Sequence, residues 1–461
     1  MADFKPKQYK INMCEGPLLK QIILFTIPLS LSALLQFLFN AADLIVVGQF
    51  ASHQALAAVG ATASLTTLII NIFLGISIGT NVVVARYIGE NNNKKISRAT
   101  HTAIYVSLLG GVILSIIGLS FSKTFLQWMS TPEDVLDMAT LYMRIYFAGM
   151  PIIMLFNFGS AILRAIGDTK RPFYFLIIAG IINVLLNMFF VIVCHWDAGG
   201  VATATVISQG ISAFMILQVL TKSRESYRVN LKKLHINWYC LKEMMRIGIP
   251  AGFQSSCFSL ANIMIQSGIN SFGAEAVAGN TAAMYYETIG YIVAASIGQA
   301  TISFVSQNYG GKQYNRIRQT IRYCTMISIA SCLILETLLL ISRYQGIGLF
   351  NDNPTVIQWG VRRLVIILPF YFVCATMEIT VGSLRGLGHS ILPTIIMIFG
   401  VCIFRIFWMQ TIFKHFATLE SICWSFPVSW IIVVIFNGVL LLNILKKFPH
   451  DAVSSKKTIN A

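Results

Sequence analysis

Long apolar runs separated by short polar connectors fill most of the chain. Runs of about 20 residues recur from Ile22 nearly to the C-terminus, and a helix of that length crosses about 30 Å of hydrocarbon. The runs, bounded by Gly, Pro, Asn and charge, predict twelve transmembrane helices, at 22–50, 55–88, 99–122, 136–158, 172–194, 201–220, 243–272, 277–307, 319–343, 359–383, 391–413 and 422–445. We therefore expect an all-α membrane protein without a sizeable soluble domain.

The distribution of Lys and Arg among the connectors predicts the orientation in the membrane. Most of the 34 Lys and Arg residues fall in alternate connectors, and the other side keeps few: Lys123, Arg343 and Lys414, with Arg144, Arg362 and Arg363 at outer helix ends. Positively charged connectors stay in the cytoplasm. The rule places the tails, 1–21 and 446–461, and the long central loop 221–242 on the cytoplasmic side. The basic, polar start of the chain also lacks the pattern of a cleavable signal peptide.

The sequence contains an internal repeat. Three short motifs of the first half return in the second: FTIPLSL at Pro28 as IGIPAGF at Pro250, YIGENNNKKI at Gly89 as NYGGKQYNRI at Gly310, and LRAIGDTKRP at Arg164 as LRGLGHSILP at Arg385. The offsets are 222, 221 and 221 residues. Because each half has an even number of helices, the repeats are parallel. We expect an N-lobe at 22–220, a C-lobe at 243–445 and a central cleft for a substrate, so that rocking of the lobes gives alternating access.

Composition and charge exclude several classes of protein. Hydrophobic residues make up 56% of the chain and charged residues only 11%, far below the roughly 25% of a soluble domain. The net charge of +16 lies in short clusters between apolar runs, which does not indicate nucleic-acid binding. Nine scattered cysteines without CxxC spacing read as reduced packing residues. No enzymatic motif emerges, so we expect neither an enzyme nor a cofactor.

Polar residues inside the predicted N-lobe helices are candidates for ion coupling, because ionisable groups in hydrocarbon are costly. Asp43 and Asn40 share one face of the first helix, and Asn183 and Asn187 share one face of the fifth. Thr205 follows in the sixth helix, near Thr203. A carboxylate among amides and hydroxyls suits Na⁺, and equally suits a proton. The alternatives are a solvated interfacial aspartate and amides that only join helices.

The C-lobe helices carry a different set of ionisable residues. Glu287 and Glu378 fall well inside helices, where they are candidates for proton or substrate binding. Arg405 is a candidate counter-ion for either glutamate. Glu336 lies nearer the outer surface, where Arg343 is its candidate partner.

Motifs along nearly the full length resemble one transporter family. They are NAADLIVVGQFASHQALAAVG in the first two helices, ILRAIGDTKRP before the fifth, GVATATVISQ in the sixth, VSQNYGGKQYNRIR after the eighth, SLRGLGHSILP before the eleventh, and Trp424, Pro427 and Trp430 as W-x-x-P-x-x-W in the twelfth. Together these motifs are similar to those of multidrug and toxic compound extrusion (MATE) transporters of bacterial type.

The resemblance implies two six-helix lobes around a V-shaped cleft, and export of cationic or amphipathic compounds in exchange for Na⁺ or H⁺. It also implies a cation site at Asp43, Asn183, Asn187 and Thr205. Asn187 departs from the family pattern, since many members have a carboxylate there, and this implies weaker Na⁺ binding or coupling through one proton on Asp43. Similar members carry glutamates in the contexts of Glu287 and Glu378.

Other functions stay open at this level. A flippase for lipid-linked saccharides shares the wider architecture, and a channel or receptor is a third alternative. We expect a monomer in a bacterial inner membrane, with a small-molecule substrate, no nucleic-acid partner, and H⁺ or Na⁺ as the coupling ion.

Overall fold

The computed structural model describes residues 9–449, apart from the side chain of Ser64. Its first half contains seven α-helices: α1 (Leu18–Phe50), α2 (His53–Gly89), α3 (Asn93–Trp128), α4 (Glu133–Ala148), α5 (Met150–Ala165), α6 (Lys170–Met188) and α7 (Asp197–Lys222). Its second half contains ten: α8 (Trp238–Asn270), α9 (Ala274–Gly310), α10 (Tyr314–Ile341), α11 (Arg343–Gly348), α12 (Pro354–Ile367), α13 (Tyr371–Gly386), α14 (Ile391–Met397), α15 (Phe404–Gln410), α16 (Ile412–His415) and α17 (Leu419–Lys446). The predicted all-α fold is confirmed.

Each of the twelve predicted spans corresponds to one helix or one interrupted helix. Ten helical segments of the described chain are long and apolar enough to cross a membrane, and the pair α4 and α5, bent by 48°, makes an eleventh. The span predicted at 243–272 is the single 33-residue helix α8, whose more polar sequence keeps it outside that group. Residues 1–8 and 450–461 lie outside the described residues, so the placement of both tails stays a prediction.

The repeat is visible in the backbone as well as in the sequence. Gly167 and Gly388 lie within the two repeated arginine motifs and have φ of +90° and +89°, a left-handed conformation that glycine adopts without strain. Just beyond them, the Thr169 hydroxyl donates to the Phe25 carbonyl at 2.9 Å, and the Ser390 hydroxyl donates to the Ile247 carbonyl at 2.8 Å. Equivalent positions therefore build the same turn against the corresponding helix of each lobe, α1 in the N-lobe and α8 in the C-lobe.

Glycines let the two lobes touch along α2 and α8. Gly75 lies against Gly248 and Gly252 so closely that a Cβ at Gly75 would overlap the α8 backbone. The Ser256 hydroxyl of α8 donates to the Leu68 carbonyl of α2 at 3.4 Å. Helix backbones can approach this closely in a membrane only where side chains are very small.

The connectors predicted to be cytoplasmic lie together, and we call this side of the molecule the basic end. The lobes are hydrogen-bonded to each other here: the Gln307 amide donates to the Ala165 carbonyl at 2.6 Å. A segment before α1, residues 9–17, runs across the junction, and we call it the strap. Its Ile11 amide donates to Gly167 of the N-lobe, and its Met13 carbonyl accepts from Asn308 of the C-lobe.

Candidate cation-coupling site

The N-lobe brings four of the predicted site residues together around one carboxylate. Asp43 of α1 accepts a hydrogen bond from the Asn187 amide of α6 through Oδ1, and one from the Thr205 hydroxyl of α7 at 3.4 Å through Oδ2. The Asn187 amide also donates to Asn183 Oδ1 at 3.3 Å, and the Asn183 amide lies 3.5 Å from Thr205 Oγ1. Two helices, α6 and α7, thus bring neutral donors to Asp43 of α1.

One oxygen of this cluster is left without a donor. Asn187 is fully buried, and its Oδ1 atom is hydrogen-bonded to none of the described residues. Buried carbonyl oxygens are rarely unpaired in folded proteins. Together with the Asp43 carboxylate and Thr205 Oγ1, this oxygen supplies hard ligands of the kind that Na⁺ takes, while a proton needs only the carboxylate.

Local features of the sequence set this geometry. The absence of a side chain at Gly180 lets α6 press against the Phe39 ring of α1, because a Cβ there would overlap the ring. Two residues after Asn187, the helix widens into a π-helical segment, Phe189–Val193. Such segments occur frequently at functional sites because they redirect side chains on one turn.

The cluster opens into a small cavity that continues into a larger one. The first, of about 40 Å³, holds Asp43, and the second, of about 110 Å³, reaches Arg164. Gln36 and Leu176 line both. Arg164 Nε has no hydrogen-bond partner among the described residues. The combined space therefore has a carboxylate at one end and a guanidinium at the other.

The remaining N-lobe candidates are placed differently. Asn40 is exposed and lines the Asp43 cavity, where the bonds to the carboxylate come from Asn187 and Thr205 instead. The Thr203 hydroxyl donates to its own helix, to the Gly199 carbonyl at 2.8 Å. Thr203 therefore points away from the cluster.

The C-lobe candidates do not pair as the sequence predicted. Glu287 of α9 is bound by Arg363, whose Nη2 and Nε atoms lie 2.5 and 3.3 Å from its two oxygens. Arg363 is only 1% exposed and also donates to Asn280 at 3.0 Å. Its assignment to an outer helix end was wrong, because α12 turns it into the lobe to neutralise a buried carboxylate.

Arg405 is not the counter-ion of either glutamate. Its Nε donates to the Ser429 hydroxyl at 3.1 Å, and its guanidinium lies over the Phe426 ring at 4.0 Å. Glu378 instead accepts from the Tyr291 hydroxyl at 3.4 Å and lies within electrostatic reach of Arg385. The prediction of an ion pair between Arg405 and Glu378 or Glu287 was therefore wrong.

The suggested pair of Glu336 and Arg343 was also wrong. Arg343 donates to the Leu340 carbonyl at 2.7 Å. Glu336 is buried, and neither of its carboxylate oxygens has a hydrogen-bond partner in the described part of the chain.

Several polar residues near these sites were not predicted. Tyr142 and Tyr146 of α4 stack on each other and lie within electrostatic reach of Asp43. Gln254 of α8 accepts from Arg385 at 2.9 Å and from Thr394 at 3.4 Å. The signal for the tyrosines was their i, i+4 spacing, which is equally typical of plain packing.

Comparison with known proteins places these features in one family. The MatE family model matches residues 28–189 and again 250–409, so each lobe carries one copy. The probable multidrug resistance protein YoeA of Bacillus subtilis (strain 168) is 29% identical over 394 residues, which cover 83% of this chain and 84% of YoeA. YpnP of the same strain, also a probable multidrug resistance protein, is 27% identical over 396 residues, 86% of this chain and 88% of YpnP.

A solved structure has the same fold. An outward-facing MATE transporter of the MOP superfamily superposes with a TM-score of 0.88 at 23% identity, over 94% of this chain and 97% of that one. The repeated match to the family model covers well over half of the chain. The chain belongs to the multidrug and toxic compound extrusion (MATE) family of membrane transporters.

Proposed function

We propose that this chain is an antiporter that exports cationic or amphipathic compounds in exchange for H⁺ or Na⁺ by alternating access, with coupling at Asp43. Multidrug efflux by Na⁺ or H⁺ antiport is the general mechanism of the family. The observation that carries the assignment to Asp43 is its cluster: one carboxylate that, in the described part of the chain, is bound by neutral donors alone and lies beside the unpaired Asn187 oxygen. No observation favours the flippase, channel or receptor alternatives.

The donor set is what an exchangeable cation requires. A carboxylate with a fixed guanidinium partner is already neutralised and gains little from a second cation. Asp43 has amide and hydroxyl partners instead, so a proton or Na⁺ can bind and leave. Asn187 contributes an oxygen without a second charge, which favours a monovalent ion.

The adjoining cavity supports an amphipathic substrate. Its Arg164 end and its Asp43 end carry opposite charges, and its walls combine Phe156 and Leu29 with Asn157 and Gln36. A compound with both polar and apolar parts matches such walls better than a simple ion does. We propose that the basic end faces the cytoplasm, in accordance with its Lys and Arg content.

Transport by purified protein in lipid vesicles tests this proposal. An imposed H⁺ or Na⁺ gradient is expected to drive ethidium uptake against its concentration gradient, and Asp43→Asn is expected to abolish this uptake. Asp134→Asn is the control, because Asp134 is exposed in the first turn of α4. Full gradient-driven uptake by Asp43→Asn would overturn the coupling assignment, and uptake without any ion gradient would overturn antiport.

A further inference from the structure

The C-lobe contains a second buried carboxylate that the site above does not use. Glu336 of α10 is 5% exposed, and both of its oxygens are sealed from solvent and lack hydrogen-bond partners in the described chain. An ionised carboxylate in such surroundings costs several kcal/mol unless a cation or donors compensate it. The neutral acid avoids most of that cost.

The described groups around Glu336 give it no spare positive charge. Its Oε1 packs against α9 at Gly290, where any side chain would overlap it. One turn earlier on α9, Glu287 lies within electrostatic reach, but its charge is already matched by the two bonds from Arg363 of α12. An ionised Glu336 would therefore add a second negative charge beside a pair that is already neutral.

The other titratable neighbours do not change this balance. Cys332 lies one turn earlier on α10, and Tyr371 of α13 is within electrostatic reach. Both are uncharged in their ordinary acid form. The Thr337 hydroxyl donates to its own helix, to the Leu333 carbonyl at 2.6 Å, so it offers Glu336 no hydrogen bond.

We propose that Glu336 is a second proton-binding site, in the C-lobe, separate from Asp43. The bound species is a proton, because a proton can bind the two buried oxygens without opening the packing around them. The cavity beside the side chain, of about 250 Å³, is walled mainly by Leu333, Leu340, Leu368 and Phe372. Such walls offer few hydrogen-bond partners to the water that would stabilise the anion.

The position of this cavity connects the proton to helix geometry. Pro369 also lines it, and the 3-10 turn Leu368–Phe370 joins α12, which carries Arg363, to α13. When Glu336 loses its proton, Arg363 is the cation that must serve both carboxylates, which requires α12 to shift toward α10. This coupling step rests on the proposed antiport, whereas proton binding itself does not.

Infrared spectroscopy of the full chain in lipid nanodiscs tests proton binding without transport. At neutral pH, the wild-type spectrum minus that of Glu336→Gln is expected to show the carbonyl band of one protonated carboxyl group. The control is Glu275→Gln, since Glu275 is exposed at the outer start of α9, and its difference spectrum is expected to lack that band. Absence of the band for Glu336→Gln would overturn the proposal.

Folding of the variants provides the second test. An unpaired neutral acid tolerates an uncharged replacement of similar size, so Glu336→Gln and Glu336→Leu are both expected to fold. If Glu336→Gln fails to fold, the infrared comparison uses Glu336→Leu, and failure of both overturns the proposal. The band is independent of Asp43. Full gradient-driven uptake by Asp43→Asn in vesicles would therefore refute the coupling assignment to Asp43 while leaving this proposal standing.

Discussion

Arg316 holds the strap to the C-lobe, and its removal is expected to loosen the basic end. Its Nε donates to the Met13 carbonyl at 2.9 Å, and its Nη atoms donate to the Gly16 and Glu15 carbonyls and to Gln21 Oε1, each at 3.0 Å. The strap in turn bonds to the N-lobe through the Ile11 amide. Arg316→Ala therefore breaks four bonds at the junction of the lobes.

The magnitude follows from these four bonds. A charged hydrogen bond contributes about 1.5–3 kcal/mol when it is buried, but Arg316 is partly exposed, and water replaces much of each bond when the strap opens. A net loss of about 0.5 kcal/mol per bond gives roughly 2 kcal/mol in total. Since 1.36 kcal/mol is a factor of ten, the open form should become roughly 30-fold more populated.

Amide hydrogen exchange measures this opening directly. The Ile11 amide, which is bonded to the Gly167 carbonyl at 3.1 Å, is expected to exchange roughly 30-fold faster in Arg316→Ala. Arg318→Ala is the matched control, because Arg318 binds the Leu445 and Phe448 carbonyls around the end of α17 and not the strap. Equal exchange in Arg316→Ala and wild type, or equal acceleration in both variants, would refute the strap as a junction between the lobes.

Three further results are expected. Gly75→Val should force α2 away from α8 and lower both transport and thermal stability. Gly60→Ala should change neither, because a Cβ at Gly60 meets no atom within 4 Å. Wild-type transport and thermal stability in Gly75→Val would contradict the close packing. Arg363→Met should destabilise the fold by about 3–5 kcal/mol, because it leaves Glu287 unpaired in the interior. The double variant Glu287→Leu with Arg363→Met should recover thermal stability. No recovery in the double variant would contradict the ion pair. Burial, with Arg246 and Arg86 nearby, lowers the pKa of His389 from its ordinary 6.5. The free energy of unfolding should therefore fall as the pH drops below about 6.5 and level off below the lowered pKa. The same fall in His389→Gln would exclude His389 as the cause.

The sequence predicted the helices well because length and hydrophobicity alone determine whether a segment can span a membrane. The spacing of Asn183 and Asn187 predicted that they share one helix face, whereas joining them with Asp43 and Thr205 in one site followed from the resemblance to the MATE family. The partners in the C-lobe were predicted wrongly. Arg363 lies near a helix end in the sequence, and only the packing of α12 against α9 shows that it enters the lobe to bind Glu287.

Pairing between distant helices depends on their rotation about their own axes, which hydropathy does not determine. Arg405 and Glu378 both fall in apolar runs, yet Arg405 faces Ser429 and Phe426, while Glu378 faces Tyr291. The unpaired state of Glu336 was equally hidden, because it depends on the contact with Gly290.

Reversal of the exchange tests the central claim most directly. In vesicles that contain purified protein and a pH-sensitive or Na⁺-sensitive dye, an imposed ethidium gradient is expected to drive H⁺ or Na⁺ the opposite way, against its own gradient. Asp43→Asn is expected to abolish this ion movement, and Asp134→Asn to retain it. Ethidium flux without ion movement in the wild type, or undiminished ion movement in Asp43→Asn, would contradict antiport coupled at Asp43.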